Sequence, residues 1–542
     1  MDLEGRLKRS GITIVGGIPK EFAVLDPDGK ALRFIADLQN NFADEWHNLL
    51  SGREGRYQRF DDGQLPNFLP KTRNIREDKS WRVAKIPGDL LYRWVELTGP
   101  ANDARMVRGA LNSGANTWMA DYEDALSPLW ANILANTFNL HNAITRQRDF
   151  DPETGDLKLD ENLATLITRP RGLHLPEAHM LVDGLPVSAT IFDLGMIHHS
   201  LTPEQLRRGQ TPAHYIPKLE HHLESAFVAD LLTAISQEYN IPKGTIKTSI
   251  LIENIMATFQ VAEILYYMRE YAIAANVGRW DQTASWYHVF RNHPDRGLPD
   301  RELVGMKLSF MMAYQKEVLR VCHERAAQPM GGMEANVPTR EERGKDPGAY
   351  DNRIAAVRAD ARREAELGFY GKWSAHPATV ALIQKEFKQA MDGEPSQPYK
   401  FPHEPSVTQA QLLETPEGQK TYDGMVSSAE EAIGYNAPWS RGLGAVALKG
   451  RMVDLATSEI ARQELTHRLR HGTVLDDGRP VTEEMIAQVI ATAVRNLMDR
   501  RGPKAFFEEG HGLGAQILAD SIRLRPHYVP DTASKYLVLS SR

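Results

Sequence analysis

The chain has 542 residues, of which 25% are charged, 42% hydrophobic and 8% aromatic, with a formal net charge of −7. This is the composition of an ordinary globular protein, which excludes long disorder and collagen-like repeats. The length allows about three to four domain-sized units, or fewer where one is an α/β barrel of about 250 residues. A single cysteine, Cys322, excludes an internal disulfide and any multi-cysteine metal centre, and it reads as a packed core thiol rather than a nucleophile. Acidic and basic residues are interspersed, so no basic stripe marks a nucleic-acid partner. The apolar runs, such as Ile264 to Met268, fall far short of the ~20 residues that cross a bilayer. The opening residues lack the apolar core of a signal peptide, and the closing Ser540-Ser541-Arg542 is not a peroxisomal address. A soluble cytoplasmic protein is expected, and the sequence leaves self-association open.

From Asp26 to Glu54, Leu32, Ile35, Leu38, Phe42, Trp46 and Leu49 recur at helical spacing. Asp61 to Pro87, punctuated by Pro66, Pro70 and Pro87, reads as an extended crossing segment. From about Val95 to Ile383, short β-rich runs alternate with longer amphipathic ones. Strands are expected at Thr117–Ala120, Ala164–Thr168, Ala189–Phe192, Tyr215–Pro217, Thr248–Ile252, Ala272–Val277, Pro329–Met330 and Lys372–Ala375. Such alternation points to βα units and a parallel sheet, and this number of strands suits a (β/α)₈ barrel. A linker follows between Asp392 and Pro405. Helices are expected over Leu455 to Leu469, Glu483 to Met498 and Gln516 to Leu524. The domain boundaries so drawn are 1–94, 95–390, 391–405 and 406–542.

Several of the strand-like runs end on a charge: Asp121, Arg169, Lys218, Glu253 and Arg279. In a parallel barrel these ends line one mouth, where chemistry sits. Glu253, closing Thr248-Ser-Ile-Leu-Ile, either caps the next helix or faces that mouth. Asp281, in Asn276-Val-Gly-Arg-Trp-Asp281, is a second carboxylate at the neighbouring strand end, unless it pairs with Arg279. Two such acids are what a magnesium ion takes from a protein. Arg169 is either an ion pair to Asp121 or Asp124, or a forked cation that holds a substrate oxygen. Asp121-Tyr-Glu-Asp124 brings together acids that repel unless cations neutralise them. Asp454, before a helical pattern, is a favoured N-cap and equally a candidate base. His174-Leu-Pro-Glu177-Ala-His179 is no zinc helix, because Pro176 breaks it, and His221 and His222 read as surface residues of a helix.

Taken together, these segments resemble the malate synthase family in its shorter A-type form, over nearly the whole length. The resemblance rests on an ordered set: Leu65-Pro-Asn-Phe-Leu-Pro70, Leu97-Thr-Gly-Pro100, Met119 to Ala125, Arg169-Pro-Arg-Gly-Leu-His-Leu-Pro-Glu177, Pro217-Lys-Leu-Glu220, Met330-Gly-Gly-Met333 and Trp373-Ser-Ala-His-Pro377. It implies a TIM barrel with an N-terminal helical clasp and a C-terminal helical plug. The implied reaction condenses acetyl-CoA with glyoxylate and hydrolyses the thioester to malate and CoA. By the same resemblance Glu253 and Asp281 match magnesium ligands, Arg169 the catalytic arginine and Asp454 the base. The backbone of Gly278, Arg279 and Trp280 matches the glyoxylate cradle, with Asp124 beside it. Tyr271, Ala274, Ala275 and Gln282 around the metal segment, Val453 and Leu455 around the base, and Leu443, Ala447 and Tyr370 depart from the family's usual residues. A condensing enzyme that takes another 2-oxo acid, a malyl-CoA-type lyase and a non-catalytic homologue are the alternatives.

Overall fold

The computed structural model describes residues 3–146, 158–400 and 406–522. The expected linker beyond Lys400, the end of the last expected helix (Arg523 and Leu524), and Ser540 to Arg542 lie outside the described residues.

The apolar spacing after Asp26 produces helix α1 (Lys30–Asp61), which buries Leu32, Ile35, Leu38 and Trp46 along one stripe. It continues past Glu54 because Arg53, Tyr57 and Phe60 are buried as well. A run as polar as Ser51-Gly-Arg-Glu-Gly-Arg56 does not announce that burial in sequence. Helix α1 lies against α2 (Ala189–Ser200) and α3 (His222–Glu238), both on the outside of the barrel.

Eight parallel strands close into that barrel: β1 (Val95–Pro100), β2 (Thr117–Asp121), β3 (Thr165–Arg169), β4 (Ala213–Ile216), β5 (Lys247–Ile252), β6 (Ala272–Val277), β7 (Gln328–Glu334) and β8 (Gly371–Ser374), with β8 returning to β1. Strands flanked by helices on one side and by each other's side chains on the other are buried on both faces, hence their short, apolar texture. Met119, Ile167, Tyr215, Leu251, Ile273, Met330 and Trp373 fill the interior, so the barrel is a packed core rather than a pore.

Two of the expected assignments exchange places. Ala189–Phe192 is not a strand; it opens α2. That helix is buried almost all round, so it lacks the polar face that identifies a surface helix, and Thr190-Ile191-Phe192 imitates β texture. The missing strand is β1, disguised by Glu96. Its carboxylate is buried inside the barrel, where Arg93 Nε (2.6 Å), Thr117 Oγ1 (2.7 Å) and Trp373 Nε1 (3.1 Å) donate to it. A buried charge satisfied in this way is tolerated.

Beyond β6 comes α4 (Arg279–Val289), and after the barrel a helical lobe of α5 (Tyr422–Trp439), α6 (Leu455–Arg470), α7 (Glu483–Arg501) and α8 (His511–Ile522). The lobe has its own core of Met425, Ile433, Leu465, Val489 and Leu518. Helix α5 carries no sequence stripe because small and polar residues such as Ser428, Gly434 and Asn436 are buried with its apolar ones. The lobe is seated on the β2 rim. Ser127 Oγ donates to Trp439 O at 3.1 Å, and Leu455 N–H approaches Asp124 O at 3.4 Å.

Candidate active site

A parallel barrel puts the last residue of every strand on one rim. The register of β2 on β3 sets Asp121 directly opposite Arg169. Arg169 Nε donates to Asp121 Oδ1 at 2.6 Å, its Nη2 donates to Asp121 Oδ2, and its Nη1 donates to Asp124 Oδ2 at 3.3 Å. The guanidinium lies over the Trp373 ring, 5.7 Å from its centre. Burial works against its charge, but Asp121 and Asp124 outweigh burial and hold the arginine well above its ordinary range. Arg169 is thus the ion pair that the sequence allowed, and it is also a fixed cation.

Glu253 follows β5 directly, and Asp281 lies in the first turn of α4. Asp281 does not pair with Arg279. Its partner is Lys218, whose Nζ is 2.9 Å from Asp281 Oδ1, 2.8 Å from Asp124 Oδ2 and 3.6 Å from Glu253 Oε1. Glu253 Oε1 accepts the Lys218 N–H at 2.8 Å. Lys218 is the residue that the sequence flagged only as a charged strand end; its contacts come from three separate rim segments, which no local spacing reveals.

The acids outnumber these two cations. Burial, opposed by Lys218 but reinforced by Glu253 and Asp124, drives the Asp281 carboxyl well above the usual range. Burial likewise raises Glu123 against the pull of Lys218, and Glu123 Oε2 is a buried atom without a hydrogen-bond partner. Burial pushes Asp124 up too, but Lys218 and Arg169 together hold it below its ordinary value. Among the described residues no group of three or more His, Cys, Asp or Glu side chains is arranged to hold a metal. A hard divalent ion does not need one, since it takes one or two carboxylates and fills its remaining positions with water or substrate. Glu253 and Asp281 stand on adjacent rim segments and share one ammonium with Asp124, so two carboxylates at this place suit such an ion.

Asp454 stands immediately before α6 and makes no side-chain cap bond. The side chain is half-buried, yet its Oδ1 is buried and has no hydrogen-bond partner. Burial, then Asp124, raise it to about 6 against the pull of Arg169 and Lys218. The N-cap reading therefore does not describe it: an Asp that caps accepts a backbone N–H, and this one instead feels the charges of Asp124 and Arg169.

The Gly278–Trp280 segment divides. Gly278 already donates its N–H to Tyr314 Oη at 2.8 Å. Arg279 and Trp280 are the first two residues of α4, where N–H groups have no acceptor within the helix and favour an anion. The glycine is required by close packing, because a Cβ at 278 would lie 2.9 Å from Glu253 Cβ. The Arg279 side chain turns aside, donating from Nη2 to Val304 O at 2.6 Å and stacking 4.1 Å from the Trp280 centroid.

Between rim and lobe lies a partly open cleft; Asp124, Lys218 and Asp281 line it together with Leu126, Trp439 and Leu455. The departure at Gln282 lies outside it: the amide is buried and donates to Thr258 Oγ1 at 3.3 Å. His222, expected at the surface, is buried, with Nδ1 2.7 Å from Gln260 Oε1.

The sequence matches the family descriptions "Malate synthase, N-terminal domain" over residues 10–74, "Malate synthase, TIM barrel domain" over 165–415 and "Malate synthase, C-terminal" over 419–523. A malate synthase of Myxococcus xanthus is 38% identical over 514 residues, covering 94% of this chain and 93% of the relative. One from Oryza sativa is 37% identical over 510 residues, covering 92% and 89%. A glyoxysomal malate synthase of Candida tropicalis is 38% identical over 493 residues, covering 89% and 88%. With all three parts matched in order and relatives aligned almost end to end, the chain belongs to the malate synthase family.

Proposed function

We propose that this rim condenses acetyl-CoA with glyoxylate and hydrolyses the resulting thioester, releasing malate and CoA. The observation that carries the reading is Asp454. A carboxylate with a buried, unpartnered oxygen, raised to about 6, is delivered by the C-terminal lobe beside Arg169. A carboxylate of ordinary pKa, about 3.9, is a weak base; one raised toward neutrality is better matched to removing a proton beside a carbonyl.

Glu253 and Asp281 would hold magnesium, which when bound supplies Lewis-acid polarisation of the aldehyde. The remaining work falls to the chain. The N–H groups of Arg279 and Trp280 orient the glyoxylate carboxylate. The cleft beside Leu126, Trp439 and Leu455 admits the thioester arm and sheds water around it. Asp454 takes a proton from the acetyl methyl group, and Arg169 balances the charge that passes to the thioester oxygen. Asp121, gripping the Nε–Nη2 edge of the guanidinium, keeps it from following that charge. The nucleophilic carbon then adds to the aldehyde carbon, the resulting alkoxide takes up a proton, and water cleaves the thioester to a carboxylate and the thiol of CoA. Asp124 joins Arg169 to Lys218 and ties the β2 rim to the lobe. A cytoplasmic setting accords with the lone, buried Cys322.

A thiol-release assay with acetyl-CoA, magnesium and a panel of 2-oxo acids tests the reading. Free CoA should appear with glyoxylate and stay at background with pyruvate or oxaloacetate. Reversible cleavage of malyl-CoA to acetyl-CoA without thiol release would replace it with a lyase.

A further inference from the structure

Lys218 has φ +57°, a left-handed conformation that costs an ordinary residue roughly 1–2 kcal/mol. Such strain persists where the surroundings enforce it. Here it is enforced from both sides of the peptide. Glu253 Oε1 accepts the N–H of Lys218 at 2.8 Å, and Arg53 Nη2 donates to its carbonyl at 2.8 Å. Arg53 belongs to α1, far from the rim in sequence, and its guanidinium is itself fixed. Nε and Nη2 form a fork on Glu224 at 2.9 and 2.8 Å. Glu224 Oε2 also accepts the Glu220 N–H at 2.8 Å, and Tyr57 Oη donates to Glu220 Oε1 at 2.7 Å. The N-terminal helix therefore grips the whole turn that follows β4.

We infer that Arg53 is a positioning residue of the active site: by holding the Lys218 carbonyl it keeps that backbone left-handed and so places the ammonium between Asp124 and Asp281. The inference deepens the malate synthase reading and rests on it for its kinetic arm. Only arginine suits the task, since one planar fork must serve a carboxylate and a carbonyl at once. Lysine at this position keeps the charge against Glu224 and loses the second bond.

The test is a double-mutant cycle on the full-length enzyme. Arg53→Lys and Arg53→Met should each lower kcat about tenfold or more, because Lys218 holds Asp124 and Asp281 in place and a shift of about 1 Å in an active site has such an effect. In a Lys218→Met background the same changes should cost less than about twofold, because residues acting through one another are not additive. A purely structural Arg53 would lower thermal stability and leave kcat of the folded enzyme unchanged. Equal losses in both backgrounds, or full kcat in Arg53→Lys, would overturn the inference. Arg53→Lys serves the cycle where Arg53→Met does not fold. A crystal structure of Arg53→Lys decides without any assay: Lys218 should leave positive φ or withdraw from Asp124 and Asp281, and retention of all three features would overturn the proposal. Absence of thiol release by the unaltered enzyme would strike the malate synthase reading and leave that structural arm to decide this one.

Discussion

Asp454 shows how little of a residue's task is written in its neighbourhood. In sequence it is a helix N-cap; in the fold it caps nothing, and burial with Asp124 nearby raises it to about 6. If it is the base, kcat/KM with glyoxylate should fall about tenfold per pH unit below about 6 and level off above it. A pH–rate profile flat down to pH 5 would contradict this. Stability moves the other way. Between the unfolded value, near 3.9, and about 6, the folded state binds the extra proton, so stability falls as pH rises through that window. At pH 7 the ionised group costs up to about 3 kcal/mol, less for a half-exposed side chain, so Asp454→Asn should be about 1–3 kcal/mol more stable. Urea unfolding at pH 7 and pH 4 measures it, and the advantage should vanish at pH 4. Arg169→Lys keeps a charge but loses the fork to Asp121 and Asp124; kcat should drop about 10²–10³-fold. Near-normal turnover in that variant would remove Arg169 from the mechanism.

Among the elements, legibility followed exposure. Helix α1 has one wet face and one dry, and its apolar stripe is plain in the sequence. Helices α2 and α5 are dry nearly all round, so the first reads as a strand and the second carries no signal. Strand β1 hides behind Glu96, because its partners Thr117 and Trp373 come from two other strands of the barrel. The contact of β4 with α2 yields a test of its own. His214 Nε2 meets His198 Nε2 at 2.9 Å, and their Nδ1 atoms face Thr168 (2.7 Å) and Thr202 (2.8 Å). Burial holds His214 down to about 3 and His198 well below its ordinary range. Both are neutral in the fold and take up protons on unfolding, so stability is full above the unfolded value, about 6.5, and is lost as pH falls below it, by up to about 1.4 kcal/mol per unit for each ring. Thermal unfolding between pH 7 and 5 should show a shallower pH slope in His214→Gln than in the parent. An unchanged slope would mean that these rings do not govern acid sensitivity.

In the whole molecule, the barrel rim supplies Arg169, Glu253 and Asp281, α1 fixes the turn bearing Lys218, and the C-terminal lobe brings Asp454. The charged strand ends were visible in sequence because a barrel's strand interiors are mostly apolar, so charges stand out. The way they join was not. Lys218 draws on Asp124, Asp281 and Glu253 at once, and a long-range hub of that kind leaves no local pattern. The lobe's docking on Asp124 and Ser127 is equally silent, although it decides where Asp454 points. The most direct measurement is single-turnover thiol release by Asp454→Asn, with magnesium affinity followed by calorimetry on the same protein. Magnesium affinity should stay within about threefold of the parent while the rate falls by at least about 10³-fold, as when a unit of the catalytic machinery is removed. Turnover within tenfold of the parent, with magnesium bound, would mean that some other group takes the methyl proton.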